Sequence, residues 1–552
     1  MTNQPILALE SLSVGGRRFP LASSPAPLDK SRRSKIGCGR PSDTLPPIVA
    51  ELEMTSTDLT LGIDLGTQST KVLVYDADER KTLSVTQAPH DIVQKSDGTS
   101  EQETRFWIEA LESCLDRTDP QLRRAVKAIG VSGQQHGFVP LDVKGEPLYR
   151  VKLWNDTSTA EECDLITKAY GGRERLIAEV GNPIVAGYTA PKVLWLKRHA
   201  PEQYRALAHI LLPHDYLNYY LTGKYTMEAG DASGTGWFDV RARKFAPKLL
   251  QAIDAERNLM ECLPELIAPQ ASSGRIRPEI AQRFGFSEQV LVSAGGGDNM
   301  MAAIGTGCVT DGSFTVSLGT SGTLFAFADA PVVDPKGLVA AFCSSTGGWL
   351  PLVCTMNCTV STELTRGLLG LPVAELDGLA GSVPAGSDGL LTLPFYSGER
   401  TPNLPKARGG LLGITPQNFQ KAHLVRSAME GALYALRFGQ DAFTSLGATP
   451  RQIRLTGGGA KSRVWQQLAA DIFGCSVVVP DVAETAAFGG ALQALWMLGH
   501  ANGQSPTMGA IVDAHVPNSG AETQPDSARR ARYAETYKTY LEYVELLKPK
   551  FI

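Results

Sequence analysis

The segment Leu59-Thr-Leu-Gly-Ile-Asp64-Leu-Gly66-Thr67-Gln-Ser-Thr70-Lys-Val-Leu-Val-Tyr-Asp76 decides the fold. An apolar run meets a turn of small polar residues, and a second apolar run, Lys71 to Tyr75, follows at once. The spacing predicts a β-hairpin with a Gly/Thr/Ser turn. Successive N–H groups and hydroxyls in such a turn form a concave anion site. The pattern returns at Phe314-Thr-Val-Ser317-Leu-Gly319-Thr320-Ser-Gly-Thr323-Leu-Phe-Ala-Phe-Ala-Asp329. At one constant offset, Leu65, Gly66, Thr67, Thr70 and Asp76 match Leu318, Gly319, Thr320, Thr323 and Asp329. A repeat over about half the chain is no solenoid period. It predicts two lobes of one fold, each offering a phosphate-binding hairpin. The copies differ where it matters: Asp64 is replaced by Ser317, so one lobe alone presents a carboxylate there.

Two further glycine clusters follow predicted strands. Thr456-Gly457-Gly458-Gly459-Ala460-Lys461-Ser462 lies between the strand-like Gln452–Leu455 and an amphipathic pattern through Trp465, Leu468, Ala469, Ile472 and Phe473. Such a turn lets a ligand approach the backbone and a helix N-terminus. No G-x-x-x-x-G-K-[ST] occurs, nor G-x-G-x-x-G after a strand. Ala294-Gly295-Gly296-Gly297-Asp298-Asn299 follows the predicted strand Gln289–Ser293 at the lobe boundary and carries a carboxylate. Asp298 precedes the helix-like Met300–Ile304, so N-capping is the alternative to a chemical role. For Asp64 the alternative is a strand-end carboxylate that holds the turn. Gln135 and His136 come just after the predicted strand Val126–Val131, at a carboxyl end where α/β sheets bind ligands.

Composition narrows the class. The chain has 552 residues, enough for two to four domains. Lys plus Arg number 53 against 57 acids, a net charge of −4, which carries no nucleic-acid signature. Nine cysteines without a C-x-x-C pair read as buried free thiols in a reducing cytoplasm. The eight histidines form no H-x-x-x-H pair that would point to zinc. The longest uncharged stretch, Gly337–Thr362, is interrupted by polar residues and reads as buried strands rather than a membrane span. The first 53 residues are rich in Pro and Ser and read as a tail, a transit-like segment, or an upstream start before Met54.

Together the two hairpins and the late glycine loop resemble the two-lobed actin/hexokinase/Hsp70-type (ribonuclease H-like) ATPase fold, an α/β architecture with its active site in the interlobe cleft. Within it the sequence is similar to the FGGY carbohydrate kinases. Their first signature is matched by Gly187-Tyr-Thr-Ala-Pro-Lys192-Val-Leu-Trp195-Leu-Lys-Arg-His199. Their second is matched by Gly409-Gly-Leu-Leu-Gly413-Ile414 and, eight residues on, His423-Leu-Val-Arg-Ser-Ala-Met-Glu430. Gly133–Gly137, Leu153–Asp156, Asp231–Thr235, Gly295–Asn299 and Ser397–Pro402 resemble most the branch that phosphorylates D-xylulose, although many bacterial members of that branch carry Met where Gln135 stands.

The resemblance implies residues 1–57 as a disordered or non-native extension, 58–310 as a lobe bearing the sugar site and catalytic Asp, and 311–548 as the ATP lobe. It implies a cytoplasmic enzyme moving the γ-phosphoryl of ATP to a ketopentose, with Mg²⁺ as cofactor and sugar and ATP as its small-molecule partners. No nucleic acid or membrane is expected, and the family's frequent homodimer is the expected assembly. Asp298 is the implied base; with an ordinary carboxyl pKa of about 3.9 it mainly orients the hydroxyl. Asp64 is the implied Mg²⁺ carboxylate, acting through water. Gln135, His136, Asp298 and Asn299 are implied to contact the sugar. Gly66, Thr67, Gly319 and Thr320 hold phosphates, and Gly458, Gly459 and Ala460 lie along the adenosine. Trp154 reads as core or contact, Asp156 as a loop holder, Met300–Met301 as core and Gly489–Gly490 as helix packing; Arg400 has no derivable role. The rival readings are an FGGY kinase for ribulose, another ketose, a polyol or a sugar acid, and a non-catalytic ATP- or sugar-binding regulator.

Overall fold

The structure is a computed structural model that describes residues 59–482, 484–517 and 522–551. The expected extension over 1–57 lies outside the described residues.

The first sheet contains β1 (Leu59–Leu65), β2 (Ser69–Asp76), β3 (Lys81–Pro89), β4 (Val126–Gly133), β5 (Ser272–Arg275) and β6 (Leu291–Ser293). Its order is β5-β6-β4-β1-β2-β3, with Gly296–Gly297 pairing beside β4. Every residue of β1 is buried, as its near-continuous apolar run requires of a strand covered on both faces. β1 runs parallel to β4 and antiparallel to β2. The second sheet contains β7 (Ser313–Leu318), β8 (Gly322–Ala326), β9 (Leu352–Thr355), β10 (Gln452–Thr456) and β11 (Ser476–Val478), in the order β9-β8-β7-β10-β11. It repeats β3-β2-β1-β4-β6 strand for strand and direction for direction. The sequence repeat is therefore a topological repeat. Asp64 pairs across its hairpin with Lys71, and Ser317 occupies the same place opposite Thr323.

Six helices matter for the site: α1 (Thr104–Arg117), α2 (Thr189–His199), α3 (Asp298–Thr306), α4 (Lys421–Ser445), α5 (Arg463–Phe473) and α6 (Thr485–Ala501). Val425, Met429, Leu433 and Leu436 form the apolar stripe of α4 and join Val316, Leu324 and Ile453 in the second core. α6, late in the chain, lies flat on the first sheet. A Cβ at Gly62 would stand 1.8 Å from the Ala487 carbonyl oxygen, and one at Gly130 2.0 Å from that of Gly490. The same helix crosses α3 backbone to backbone, with the Met301 carbonyl oxygen 1.8 Å from where a Gly489 Cβ would be. The Gly489–Gly490 pair thus serves helix packing. Met300 and Met301 are core residues, packed in one cluster with Tyr75, Phe325 and Phe488 that ties the two sheets together.

The segment Gly337–Thr362 departs from expectation. It contributes β9 alone to a sheet; isolated bridges precede it, and a helix begins at Thr359. Gly337 and Gly347, at φ +64° and +102°, turn the backbone out of the extended region. Among the described residues no helix is long and apolar enough to cross a membrane. The eight described cysteines are free, and seven are buried.

Candidate active site

Both hairpin turns open onto one cavity of about 320 Å³. Thr67 reaches it from the first turn, and Gly319 and Ser321 from the second. Gln135, His136, Asp298 and Asn299 line its other side. Asp64, Gly66 and Thr320 do not themselves line it. Gly458, Gly459 and Ala460 lie apart from it, in a short 3-10 turn between β10 and α5. Gly457, at φ +84°, presses that turn onto Leu318, so the glycine loop abuts the end of β7 where the second hairpin begins.

Asp298 is the first residue of α3, and Gly297 is the cap, so the capping alternative does not hold. The Asp298 carboxylate accepts hydrogen bonds from the Asn299 N–H at 2.8 Å and from Asn299 Nδ2 at 2.9 Å. Asn299 Nδ2 also donates to Gln135 Oε1 at 3.0 Å, which links the three side chains in a row. Burial first, then the charges of Asp64 and Asp231, push the Asp298 carboxyl up to about 7. The expectation of an ordinary carboxylate is overturned: near neutrality this group takes up and releases a proton, as a general base should. Behind it, Asp231 Oδ2 lies 2.7 Å from His214 Nδ1, and His214 Nε2 lies 2.9 Å from Asp215 Oδ1, all without solvent exposure. Between two carboxylates the His214 ring is held well above its usual pKa despite its burial.

Asp64 accepts from Ser132 Oγ at 3.0 Å. Lys71 Nζ is 3.8 Å from its Oδ2 but 2.7 Å from Glu484 Oε2, so the lysine charge is shared. Burial raises the Asp64 carboxyl against the pull of Lys71. Among the described residues no three His, Cys, Asp or Glu side chains converge to cage a metal by themselves. A cation held by one carboxylate, waters and ligand phosphates, as Mg²⁺ prefers, fits this donor set.

His136 has φ +64°, rare for a side-chain-bearing residue and costly unless its surroundings enforce it. They do: its carbonyl accepts from Lys192 Nζ at 2.7 Å and from Thr189 Oγ1 at 3.2 Å. Lys192, from the first signature, also donates to the Gly187 carbonyl at 2.8 Å, and burial pushes its ammonium down to about 7. The His136 ring fills the space a Gly234 Cβ would need and tilts against Tyr188 and Phe342. Burial, with Lys192 and Arg400 nearby, keeps the imidazole neutral. Thr323 Oγ1 is buried at the cavity without a hydrogen-bond partner, and His136 Nδ1 and Gln135 Nε2 meet only poorly aligned ones, the Gly234 backbone and Asp231. Buried polar atoms are ordinarily satisfied, so these await a hydroxylated ligand.

The first turn is clamped by residues whose role the sequence did not reveal. Trp154 lines the cavity rather than the core, and its Nε1 donates to Thr67 Oγ1 at 3.0 Å. Gln102 Nε2 donates to the Thr67 carbonyl at 2.8 Å, while Gln102 Oε1 accepts from Trp107 Nε1 and Gln134 Nε2. The Gly66 N–H closes the turn on the Ser69 carbonyl at 3.0 Å, so Gly66 shapes the turn rather than offering a free donor. Asp156 holds its loop as expected, accepting from the Ser100 and Ser158 N–H groups and from Lys152. In the second turn, the Gly319 and Thr320 carbonyls accept from the N–H groups of Thr359 and Cys358.

Comparison with known proteins agrees with this arrangement. The N-terminal domain model of the FGGY family of carbohydrate kinases matches residues 59–305, and its C-terminal domain model matches 314–498. The chain is 42% identical to a xylulose kinase of Haemophilus influenzae over 494 residues, covering 88% of this chain and 99% of that protein. It is 36% identical over 424 residues to a xylulose kinase of Escherichia coli, covering 75% and 84%. The solved structure of a xylulose kinase from Bifidobacterium adolescentis superposes with a TM-score of 0.74 at 32% identity, over 87% of this chain and 99% of that one. With two matched domains, a repeated hairpin sheet and an aspartate between the two turns, this chain belongs to the FGGY family of carbohydrate kinases.

Proposed function

We propose that the chain transfers the γ-phosphoryl group of ATP to D-xylulose, giving D-xylulose 5-phosphate and ADP. The observation that carries this reading is Asp298, raised to about 7, in one cavity with both phosphate turns. The identities to xylulose kinases support the choice of sugar.

On this reading Gln135 and His136 bind and orient the sugar, and Asn299 contacts it beside Asp298. The attacking hydroxyl gives its proton to the Asp298 carboxylate as its oxygen bonds to phosphorus. Thr67 of the first turn, shaped by Gly66, and Gly319 and Thr320 of the second hold the phosphates from opposite lobes. Gly458, Gly459 and Ala460 face the adenosine. Asp64 would hold Mg²⁺, which would supply neutralisation of the phosphate charge. Because the transition state is loose, positioning dominates over covalent work. We assign residues 58–310 to the sugar lobe and 311–548 to the nucleotide lobe. The buried free thiols support a cytoplasmic setting; a homodimer is proposed from the family likeness alone.

The test is a panel of ketoses, polyols and sugar acids with coupled detection of ADP. Turnover that requires D-xylulose supports the reading. Preference for another acceptor moves the enzyme to a different branch of the family, and sugar-independent ATP hydrolysis overturns the kinase assignment.

A further inference from the structure

Arg400 stands in Ser397-Gly-Glu-Arg-Thr-Pro402, between the strands Leu391–Leu393 and Gly410–Leu412 of the second half. Its neighbour Glu399 is the obvious carboxylate for it, yet Glu399 is used otherwise. Glu399 Oε1 accepts from the N–H groups of Met356 at 2.6 Å and of Arg400 at 2.8 Å, and Oε2 lies 3.1 Å from Asn357 Nδ2. Glu399 therefore fixes the loop backbone, and the Arg400 side chain runs into the cavity. There Nη2 lies 3.4 Å from where a Cβ of Gly187 would be, beside Trp154, whose Nε1 holds Thr67 of the first phosphate turn. Of the other cations close by, Lys192 is spent on the carbonyls of His136 and Gly187, and Arg173 donates to those of Lys336 and Gly337. Among the described residues the Arg400 guanidinium has neither a hydrogen-bond nor an ion-pair partner.

A half-buried guanidinium that faces a cavity without a protein partner is free to take up an anionic ligand group. The acceptor sugar is uncharged, so it cannot supply one. Asp298 is held by Asn299, and Asp64 by Ser132 and Lys71. What remains is the phosphoryl group, whose oxygens match the planar fork of a guanidinium. We propose that Arg400 is a catalytic residue that holds the oxygens of the phosphoryl group while it passes between ATP and the sugar. In that step the hydroxyl oxygen forms a bond to the γ-phosphorus, and the bond from phosphorus to the β-bridging oxygen breaks. The electron pair leaves with ADP, and the hydroxyl proton goes to Asp298. Arg400 neutralises the charge spread over the three equatorial oxygens. This inference rests on the kinase reading given above.

The experiment uses the full chain with Arg400→Met, Arg400→Lys and Arg400→Gln. Steady-state turnover is measured, together with calorimetric binding of ADP and of ADP with aluminium fluoride in the presence of sugar. Arg400→Met is expected to lower kcat by about 10²- to 10³-fold. The KM for the sugar should move by no more than about threefold, as for a contact made mainly in the transition state. ADP alone should bind as in the wild type, whereas the tightening by aluminium fluoride should disappear. Arg400→Lys should restore part of both, and Arg400→Gln neither. A raised sugar KM with kcat retained would make Arg400 a sugar contact and overturn the proposal. So would an equal loss of ADP binding, or unchanged tightening by aluminium fluoride. If Arg400→Met lowers the melting temperature, the contrast between Lys and Gln at matched stability decides. If D-xylulose is not the acceptor, the substrate reading fails, while the aluminium fluoride comparison with the sugar found by the panel still decides Arg400.

Discussion

Replacing Asp298 by Asn should abolish turnover and stabilise the protein at the same time. The Asp298 carboxyl, ordinarily near 3.8, is raised to about 7, chiefly by burial and then by the nearby charges of Asp64 and Asp231. Between about pH 4 and pH 7 the folded state holds a proton that the unfolded chain has released. Stability therefore falls as pH rises through that window, and the full penalty is present above about pH 7. Three pKa units at 1.36 kcal/mol each give a penalty of up to about 4 kcal/mol at pH 8. Asparagine has no charge to desolvate and keeps the oxygen that accepts from the Asn299 N–H. The assay is the melting temperature of ligand-free wild type and Asp298→Asn at half-unit steps from pH 5 to pH 8.5. The variant should melt well above wild type at pH 8, and the gap should close towards pH 5. Sugar phosphorylation should be lost by several orders of magnitude, while ADP binding stays. A variant that melts at or below wild type at pH 8, or a gap that does not change with pH, would refute the reasoning that this carboxylate is charged at a cost.

The same ionisation predicts the rate profile. The kcat/KM for sugar should fall about tenfold per pH unit below about pH 7, as Asp298 takes up its proton; a flat profile between pH 5.5 and 8 would remove Asp298 as the base. Gly489→Ala should cost about 1–3 kcal/mol or more, because its methyl would stand 1.8 Å from the Met301 carbonyl oxygen. Thermal melting checks this against Gly378→Ala, where nothing lies within 4 Å of the new methyl and the effect should be small.

The sheet repeat was legible because turn chemistry is local: Gly66-Thr67 and Gly319-Thr320 announce themselves wherever they fall. The place of Asp298 was legible for the same reason, through its glycine cluster. Its proton affinity was not, because that depends on Asp64 and Asp231, brought near only by folding. Trp154, Gln102 and Lys192 illustrate the same limit. Each acts on Thr67 or His136 through a hydrogen bond across the fold, and no periodicity in the sequence marks such a bond. Asp298 opens α3 two residues before the apolar pattern begins, since Gly297 takes the cap. In Gly337–Thr362 composition said strand, while two glycines in the left-handed region bent the path.

The flat seating of α6 on the first sheet also constrains how the protein is made. Gly62 and Gly130 receive Ala487 and Gly490 with no space for any side chain between. During synthesis the strands that carry Gly62 and Gly130 leave the ribosome long before their cover does. At roughly 5–20 residues per second, that wait is on the order of tens of seconds. Once β5 and β6 have followed, the first sheet has its strands but still lacks the helix that closes one face. The two matched domains thus read as separable in sequence but complete each other in assembly. The nascent first half holds a bare apolar surface that its own last helices, or a chaperone, must shield.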